Sequence, residues 1–305
     1  MIPSPPPRHI PVLSAEVLHY LDPRPGQVIV DATLGGGGHA KLIAERLLPG
    51  GRLIALDRDA EMIERARPLL QDLPVVFYHA GFDQLGEVLQ AVGIAQVAQV
   101  DGVLADLGIC SDQLDEPGRG FSFQGSGPLD MRLDRSSGEP ASALLRRLGE
   151  RELADLIYQL GEERFSRRIA RKIVETRRQT PLETTEQLAD LVRSCVPRPK
   201  GRHAIDPATR TFQALRIAVN DELGALERLL DELPRCLKPG GRAVIISFHS
   251  LEDRRAKQAF ADRNRWEALT RKPVQATEEE ERNNPRARSA KLRAATRKGQ
   301  SPLAI

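Results

Sequence analysis

The sequence predicts an α/β protein with a mainly parallel sheet and an inserted helical region. Two observations carry this: short apolar, β-branched runs alternate with amphipathic stretches near both ends of the 305-residue chain, and the alternation stops between residues 115 and 205. A third is the run Gly35-Gly36-Gly37-Gly38, which falls where the first apolar run turns into a helix.

That first run, VIVD (28–31), reads as a strand, and the helix after the glycines, residues 39–48, stops at Pro49-Gly50-Gly51. RLIALD (52–57) follows as a second buried strand, completing a strand–helix–strand unit. A helix over 60–70, a strand VVFYH (75–79), a helix near 83–92 and a strand DGVLAD (101–106) continue the order. It resumes after LKPGG (237–241) with the strand RAVIISF (242–248) and a charged helical stretch, 251–265. Between them lie a Gly/Pro-rich segment up to Pro140 and arginine-rich helices near 141–149, 150–160, 163–178 and 185–195, the last opened by Thr184 with Gln187 as a capping box. From Phe212, the positions Leu215, Val219, Leu223, Leu226 and Leu230 recur at steps of three and four and predict one helix returning to the sheet. Residues 1–114 and 206–305 are thus expected to form a Rossmann-like core with a basic C-terminal tail, and 115–205 an inserted helical domain for substrate recognition.

Composition narrows the class. Hydrophobic residues at 40% and charged residues at 29% suit a globular enzyme and exclude wholesale disorder. No stretch reaches the roughly 18 apolar residues of a membrane span, and the opening MIPSPPPRHIPVL lacks an apolar signal core, so a cytoplasmic location without a membrane partner is expected. Cys110, Cys195 and Cys236 are far apart and show no metal-binding spacing, which points away from disulfides and from a metal site. A net charge of +3 is too mild to prove a nucleic-acid partner, but residues 282–298 hold seven Lys or Arg and no acid. That suits a phosphate-contacting tail and equally a disordered basic terminus. Nothing in the pattern fixes an oligomeric state.

The run from Asp31 through Gly35–Gly38 to His39 lets a ligand approach the backbone and a helix N-terminus, and Asp57 ends the next strand, where a carboxylate can accept from ribose hydroxyls. Gly35, Gly37 and Ala40 also satisfy the dinucleotide fingerprint, so nicotinamide cofactors compete at this point. S-adenosylmethionine is favoured by Asp31, able to face a cationic amino acid moiety, by Asp106 closing the fourth strand, and by LKPGG before the fifth.

More specific motifs follow one another along nearly the whole chain: HIPVL (9–13), GGGGH (35–39), ALDRD (55–59), DGVLADLG (101–108), RGFSF (119–123), GPLDMRLD (127–134), GEERFSRRIA (161–170), PATRTFQALRI (207–217), IISFHSLEDR (245–254) and NPRARSAKLR (284–293). In these the chain resembles the bacterial 16S ribosomal RNA cytosine-N4 methyltransferases, the RsmH or MraW family. The resemblance implies a class I S-adenosylmethionine-dependent methyltransferase fold, methylation of N4 of cytosine 1402 in 16S rRNA, and the small ribosomal subunit as partner. It implies cofactor contacts at Gly37, Gly38, His39, Asp57, Phe82, Asp106 and Gln113. Two positions depart from the family pattern: Cys110 stands where a Ser is usual, and Asp206 where a His precedes PATRTFQ, with His203 close by.

A cytosine amine is a weak nucleophile and the methylsulfonium a highly activated donor, so positioning should dominate catalysis and no covalent cysteine is needed. Asp106 is the candidate catalytic acceptor for the amine. A base must leave its stack to react, so Phe121, Phe123 and Phe248 are candidate substrate contacts, though each also suits a core. His249 is read as a structural or RNA-contacting residue before a general base. The segment 117–140 suggests a lid ordered on binding. Arg164, Arg167, Arg168, Arg171 and Lys172 offer phosphate contacts, but Glu162, Glu163 and Glu175 lie among them, as on a solvated face. The competing readings are a non-enzymatic RNA-binding ribosome assembly factor on the same fold and, behind it, an NAD-dependent dehydrogenase.

Overall fold

The computed structural model describes residues 10–93, 100–197 and 205–299, so His9 and His203 lie outside the described residues. In chain order the first elements are α1 (Ser14–Leu21), β1 (Val28–Asp31), α2 (Gly38–Arg46), β2 (Arg52–Asp57), α3 (Ala60–Leu70), β3 (Val75–His79), α4 (Leu85–Ala91) and β4 (Val100–Asp106). There follow α5 (Ser111–Asp115), α6 (Ala141–Arg147), α7 (Glu150–Gly161), α8 (Ser166–Arg177), α9 (Thr185–Cys195) and α10 (Ala208–Asn220). The chain continues with α11 (Glu222–Cys236), β5 (Leu237–Ser247), α12 (Ser250–Phe260), β6 (Trp266–Ala268), α13 (Glu278–Asn283) and β7 (Lys291–Arg297). Two compact units result, one holding residues up to Ile109 and from Leu223, the other Cys110–Glu222.

The first unit is a seven-stranded sheet in the order β3-β2-β1-β4-β5-β7-β6. Strands β1 to β5 pair in parallel, whereas β7 runs antiparallel between β5 and β6. Strand residues alternate between two cores, as the strand's period of two requires. Val30, Ile54, Leu56, Val103 and Ala105 pack with Leu226, Leu229 and Leu233 of α11. Ile29, Leu53, Ala55 and Leu104 pack with Val17, Ile43 and Ile63 of α1, α2 and α3. Both faces are buried, which is why these strands read as continuous apolar runs. Chain order reverses between β1 and β4, where open α/β sheets carry their ligands at the carboxyl ends of the strands.

The basic segment 282–298 is not a tail. It forms α13's last turn, a short 3₁₀ turn (Pro285–Ser289) and β7, with Leu292, Ala294 and Ala295 buried in the two cores. Three of its cations are held by protein groups: Arg293 pairs with Asp253 (Nε to Oδ1, 2.6 Å), Arg297 donates to the Leu237 carbonyl and Lys298 to the Arg263 carbonyl. Alternation of Lys or Arg with small apolar residues here marks a strand with half-buried stems, not a solvated arm.

In the second unit α7, α8, α9 and α10 pack together. Thr184 caps α9 through the Gln187 amide as the sequence predicts. The helix expected from Phe212 to Leu230 is two helices, because Asp221 takes a left-handed conformation (φ 49°) between α10 and α11, one that Asp and Asn tolerate better than most. The Gly/Pro-rich segment is not a loose lid within its unit. Arg119, 1% exposed, donates to the carbonyls of Arg132 and Leu133, the Met131 amide bonds back to Arg119, and Asn220 donates to the Met131 carbonyl. Leu129 and Met131 are buried, so the segment is ordered by its own unit.

Candidate active site

Three aspartates close adjacent strands of the first unit. Asp31 ends β1, Asp57 ends β2 and Asp106 ends β4, so the parallel register delivers all three to the same edge of the sheet. Asp57 shapes the glycine loop: its Oδ2 accepts from the Gly35 amide (2.7 Å) and its Oδ1 from the Asp59 amide (2.8 Å). Gly37 (φ 79°) caps α2, and a Cβ there would meet the Ala66 methyl at 3.1 Å, so glycine lets loop and α3 close up. Gly38 starts α2 and packs on Pro11. The loop thus presents the N-terminus of α2 beside the carboxylates.

The Asp31 Oδ1 accepts from the Thr33 amide (3.1 Å), and the Thr33 hydroxyl in turn accepts from the Asp106 amide (2.6 Å), tying β1 to β4 at the switch point. Among the described residues, Asp31 Oδ2 and Asp106 Oδ1 are buried with no hydrogen-bond partner. His39, buried in α2, places Nε2 3.7 Å from Asp106 Oδ2. Burial pushes Asp106 up to about 8, helped by repulsion from Asp31 and opposed by the Arg286 guanidinium. Burial likewise raises Asp31 to about 7, against the Thr33 amide, and Asp57 to about 6, against the Asp59 and Gly35 amides. Two desolvated acids with free oxygens form a site for a cation.

S-adenosylmethionine carries both an ammonium and a sulfonium, and the orphaned oxygens of Asp31 and Asp106 beside a helix N-terminus fit such a group. Sequence reasoning misses Arg286, Thr33 and Glu252 in this setting. Arg286 donates to the Ile109 carbonyl, next to the turn after β4. Its signal, NPRAR, is visible in the sequence, but it reaches the site only because β7 folds back into the sheet.

The remaining predicted residues are placed as follows. Phe82, just after β3, is half-buried against the core under α4 and α11. Phe248 is partly buried against the opposite core, facing the open side of Gly108 (φ 94°). His249 caps α12: its Nδ1 accepts from the Glu252 amide (3.4 Å) and its Nε2 lies 3.2 Å from Glu252 Oε1. In the second unit, Gln113 of α5 is buried and its Oε1 accepts from the Cys110 amide (3.0 Å). Phe121 is a core residue there, 6% exposed, with the Arg119 guanidinium over its ring. Phe123 packs edge-on against Phe212 at 4.9 Å. Asp206, read from the resemblance as a departure, makes a structural contact: Oδ1 caps α10 through the Ala208 amide (2.8 Å) and Oδ2 pairs with Arg193 of α9 (3.0 Å). None of the three cysteines forms a disulfide among the described residues, and Cys195 and Cys236 are buried.

The doubly wound sheet with its antiparallel seventh strand, and a glycine loop and cation-ready carboxylates at the switch point, define an S-adenosylmethionine-dependent methyltransferase. The chain belongs to the MraW methylase family, whose model matches residues 7–298. It is 53% identical over 306 residues to the ribosomal RNA small subunit methyltransferase H of Sorangium cellulosum, covering 98% of this chain and 95% of that one. The protein of the same name from Acidobacterium capsulatum is 51% identical, with 95% and 99% covered, and that from Pelobacter propionicus 49%, with 94% and 97%.

Proposed function

We propose that this methyltransferase uses S-adenosylmethionine to methylate small-subunit ribosomal RNA at N4 of a cytidine, cytosine 1402 of 16S rRNA, in the cytoplasm. The single observation that carries the reading is a pair of carboxylates, buried Asp31 and half-buried Asp106, each with a buried, unpartnered oxygen at the carboxyl ends of neighbouring strands. The RNA class comes from relatives at about half identity over nearly full length. No helix of the described residues is long and apolar enough to cross a membrane, which agrees with action on ribosomal RNA.

In this reading Gly37, Gly38 and His39 at the start of α2 meet the cofactor's amino acid portion, Asp57 meets the ribose and Phe82 the adenine. When bound, S-adenosylmethionine supplies the activated methyl group. Asp106 does the chain's own chemical work. A neighbouring cation offsets its desolvation and favours the carboxylate. Ionised, Asp106 accepts a hydrogen bond from the cytosine amine, raising electron density on nitrogen, and is placed to take the proton released as the new N–C bond forms. Thr33, through the Asp106 amide, and His39 fix its position. No cysteine nucleophile takes part. Phe121 and Phe123 act as packing beneath the substrate surface of the second unit, the substrate-recognition unit, and Phe248 and His249 shape the strand end beside Gly108.

The test is incubation with isotopically labelled S-adenosylmethionine and small subunits lacking the modification, followed by mass spectrometry of the nucleosides. Label in N4-methylcytidine is expected. Label in another nucleoside overturns the atom assignment. No label, with cofactor binding demonstrated, favours the assembly-factor reading. Affinity for NAD with indifference to S-adenosylhomocysteine would favour the dehydrogenase.

A further inference from the structure

We propose that the exposed face of α8 is a binding surface for the phosphodiester backbone of RNA, engaging the substrate away from the methylated base; this rests on the ribosomal RNA reading above. In α8, Ser166, Ile169, Ala170 and Ile173 face the unit's core, which leaves Arg167, Arg168, Arg171, Lys172, Glu175 and, at the C-cap, Arg178 on the opposite side. This stripe runs about 16 Å at 1.5 Å per residue and carries five cations against one acid.

Of the three acids that make the sequence read as mixed charge, Glu175 lies on the stripe and the other two lie ahead of α8. Glu163 is buried, and its Oε1 accepts from the Phe165 amide; Glu162 sits in the left-handed C-cap of α7. Glu150 reaches only Arg171, at 3.4 Å. Among the described residues, Arg167, Arg168, Lys172 and Arg178 form no ion pair and no side-chain hydrogen bond. Neighbouring Arg177 shows the contrast, because it turns inward and donates to the carbonyls of Leu145 and Leu148 at the end of α6.

The arrangement is unfavourable for the isolated helix in two respects. Arg167 and Arg171, and Arg168 and Lys172, are like charges at i,i+4, each repelling where an acid would attract. Arg167 and Arg168 also lie in the first turn, which holds no acid and where the helix dipole disfavours cations. A face serving only solubility alternates signs. A face on which cations outnumber acids five to one, and on which four of the five cations have no ion pair, is satisfied by a polyanion, and arginine forks match phosphate oxygens.

The experiment measures RNA binding and methyl transfer by the full chain carrying Arg167→Gln, Arg168→Gln and Lys172→Gln, with glutamine chosen because it keeps helix propensity. The probes are poly(U), which needs no modification site, and small subunits lacking the modification. Poly(U) affinity is expected to fall about tenfold or more, and the salt dependence of log K to flatten by about 2, at roughly 0.7 for each phosphate that a single strand no longer has neutralised. KM for subunits should rise in parallel, while S-adenosylmethionine affinity and kcat stay unchanged. A control removing the exposed Arg46, Lys257 and Arg263 of the first unit should leave the salt slope near wild type, and a version with Arg167→Lys and Arg168→Lys should retain binding. Unchanged poly(U) affinity, salt slope and KM in the triple variant would overturn the proposal. Failure of the wild type to methylate subunits would count against the ribosomal RNA reading, and the poly(U) arm would still decide the role of α8.

Discussion

The two units leave ionisable groups of opposite type short of hydrogen-bond partners in opposite settings. The first unit buries Asp31 and Asp106 with orphaned oxygens at the end of its sheet, whereas the second exposes Arg167, Arg168, Lys172 and Arg178 along one helix. Desolvation makes the buried pair expensive, so it selects a small cation that enters and replaces water. Screening makes the exposed stripe cheap, so it selects for number of charges and responds to salt. Each unit also contains a satisfied counterpart: Arg293 with Asp253 inside the first, Arg193 with Asp206 at the surface of the second. Specific chemistry thus belongs to the unpaired buried set and adhesion to the unpaired exposed one.

The strongest challenge to that division is Asp106→Asn, which keeps shape and removes the charge. Methyl transfer should fall at least about a hundredfold, as loss of a positioned proton acceptor requires. Full turnover in a steady-state assay would remove both the catalytic and the cofactor-binding role of Asp106. Next in size is Arg293→Met, which leaves Asp253 in a site where the two side chains are 8% and 15% exposed. A loss of about 3 kcal/mol is expected by denaturant unfolding, since breaking a buried pair strands one charge. A neutral result would mean that Asp253 is readily rehydrated.

Acidity sharpens the comparison. Asp31 and Asp106 are raised to about 7 and about 8, so the folded protein holds protons that the unfolded chain releases near pH 4. The free protein should therefore lose stability as pH rises from about 4 to about 8. A bound cation favours the ionised acids, so S-adenosylmethionine should bind at least about tenfold more tightly at pH 8 than at pH 6 and release protons on binding. Calorimetry in two buffers of different ionisation enthalpy reads both, and a flat profile would show that neither acid meets the cation. The smallest effect belongs to Asp206→Asn, which keeps the α10 cap but breaks a pair whose side chains are 38% and 33% exposed. Less than about 1 kcal/mol should be lost in thermal unfolding; a larger loss would make this departure from the family pattern a structural keystone.

Legibility differs between the regions for physical reasons. VIVD and RLIALD coincide with β1 and β2 because strands buried on both faces are apolar throughout, and VVFYH coincides with β3, a half-buried edge strand whose β-branched and aromatic residues favour a strand. The aspartates are readable because each ends such a run. β7 is not, because its basic residues hide a strand whose apolar positions are mostly alanine, as Ala294 and Ala295 show. Without β7 as a strand, nothing brings Arg286 to the Ile109 carbonyl 177 positions away. The break at Asp221 is hidden because heptad-like spacing persists across it, and only the backbone angle betrays it. The order of the 117–140 segment is equally hidden, since it rests on Arg119 and Asn220, polar side chains that bond backbone carbonyls far along the chain.

The place of β7 has a consequence for synthesis. It lies between β5 and β6 yet leaves the ribosome after both, so the sheet of a growing chain keeps β5 unpaired on one side until residues 291–297 emerge. The helices of the second unit draw on local contacts and can form well before that moment. A nascent chain therefore acquires its arginine-studded helix early and its methyl-donor pocket last, since Arg286 reaches Ile109 only as β7 docks. Incomplete chains would be able to adhere to RNA before they are able to modify it.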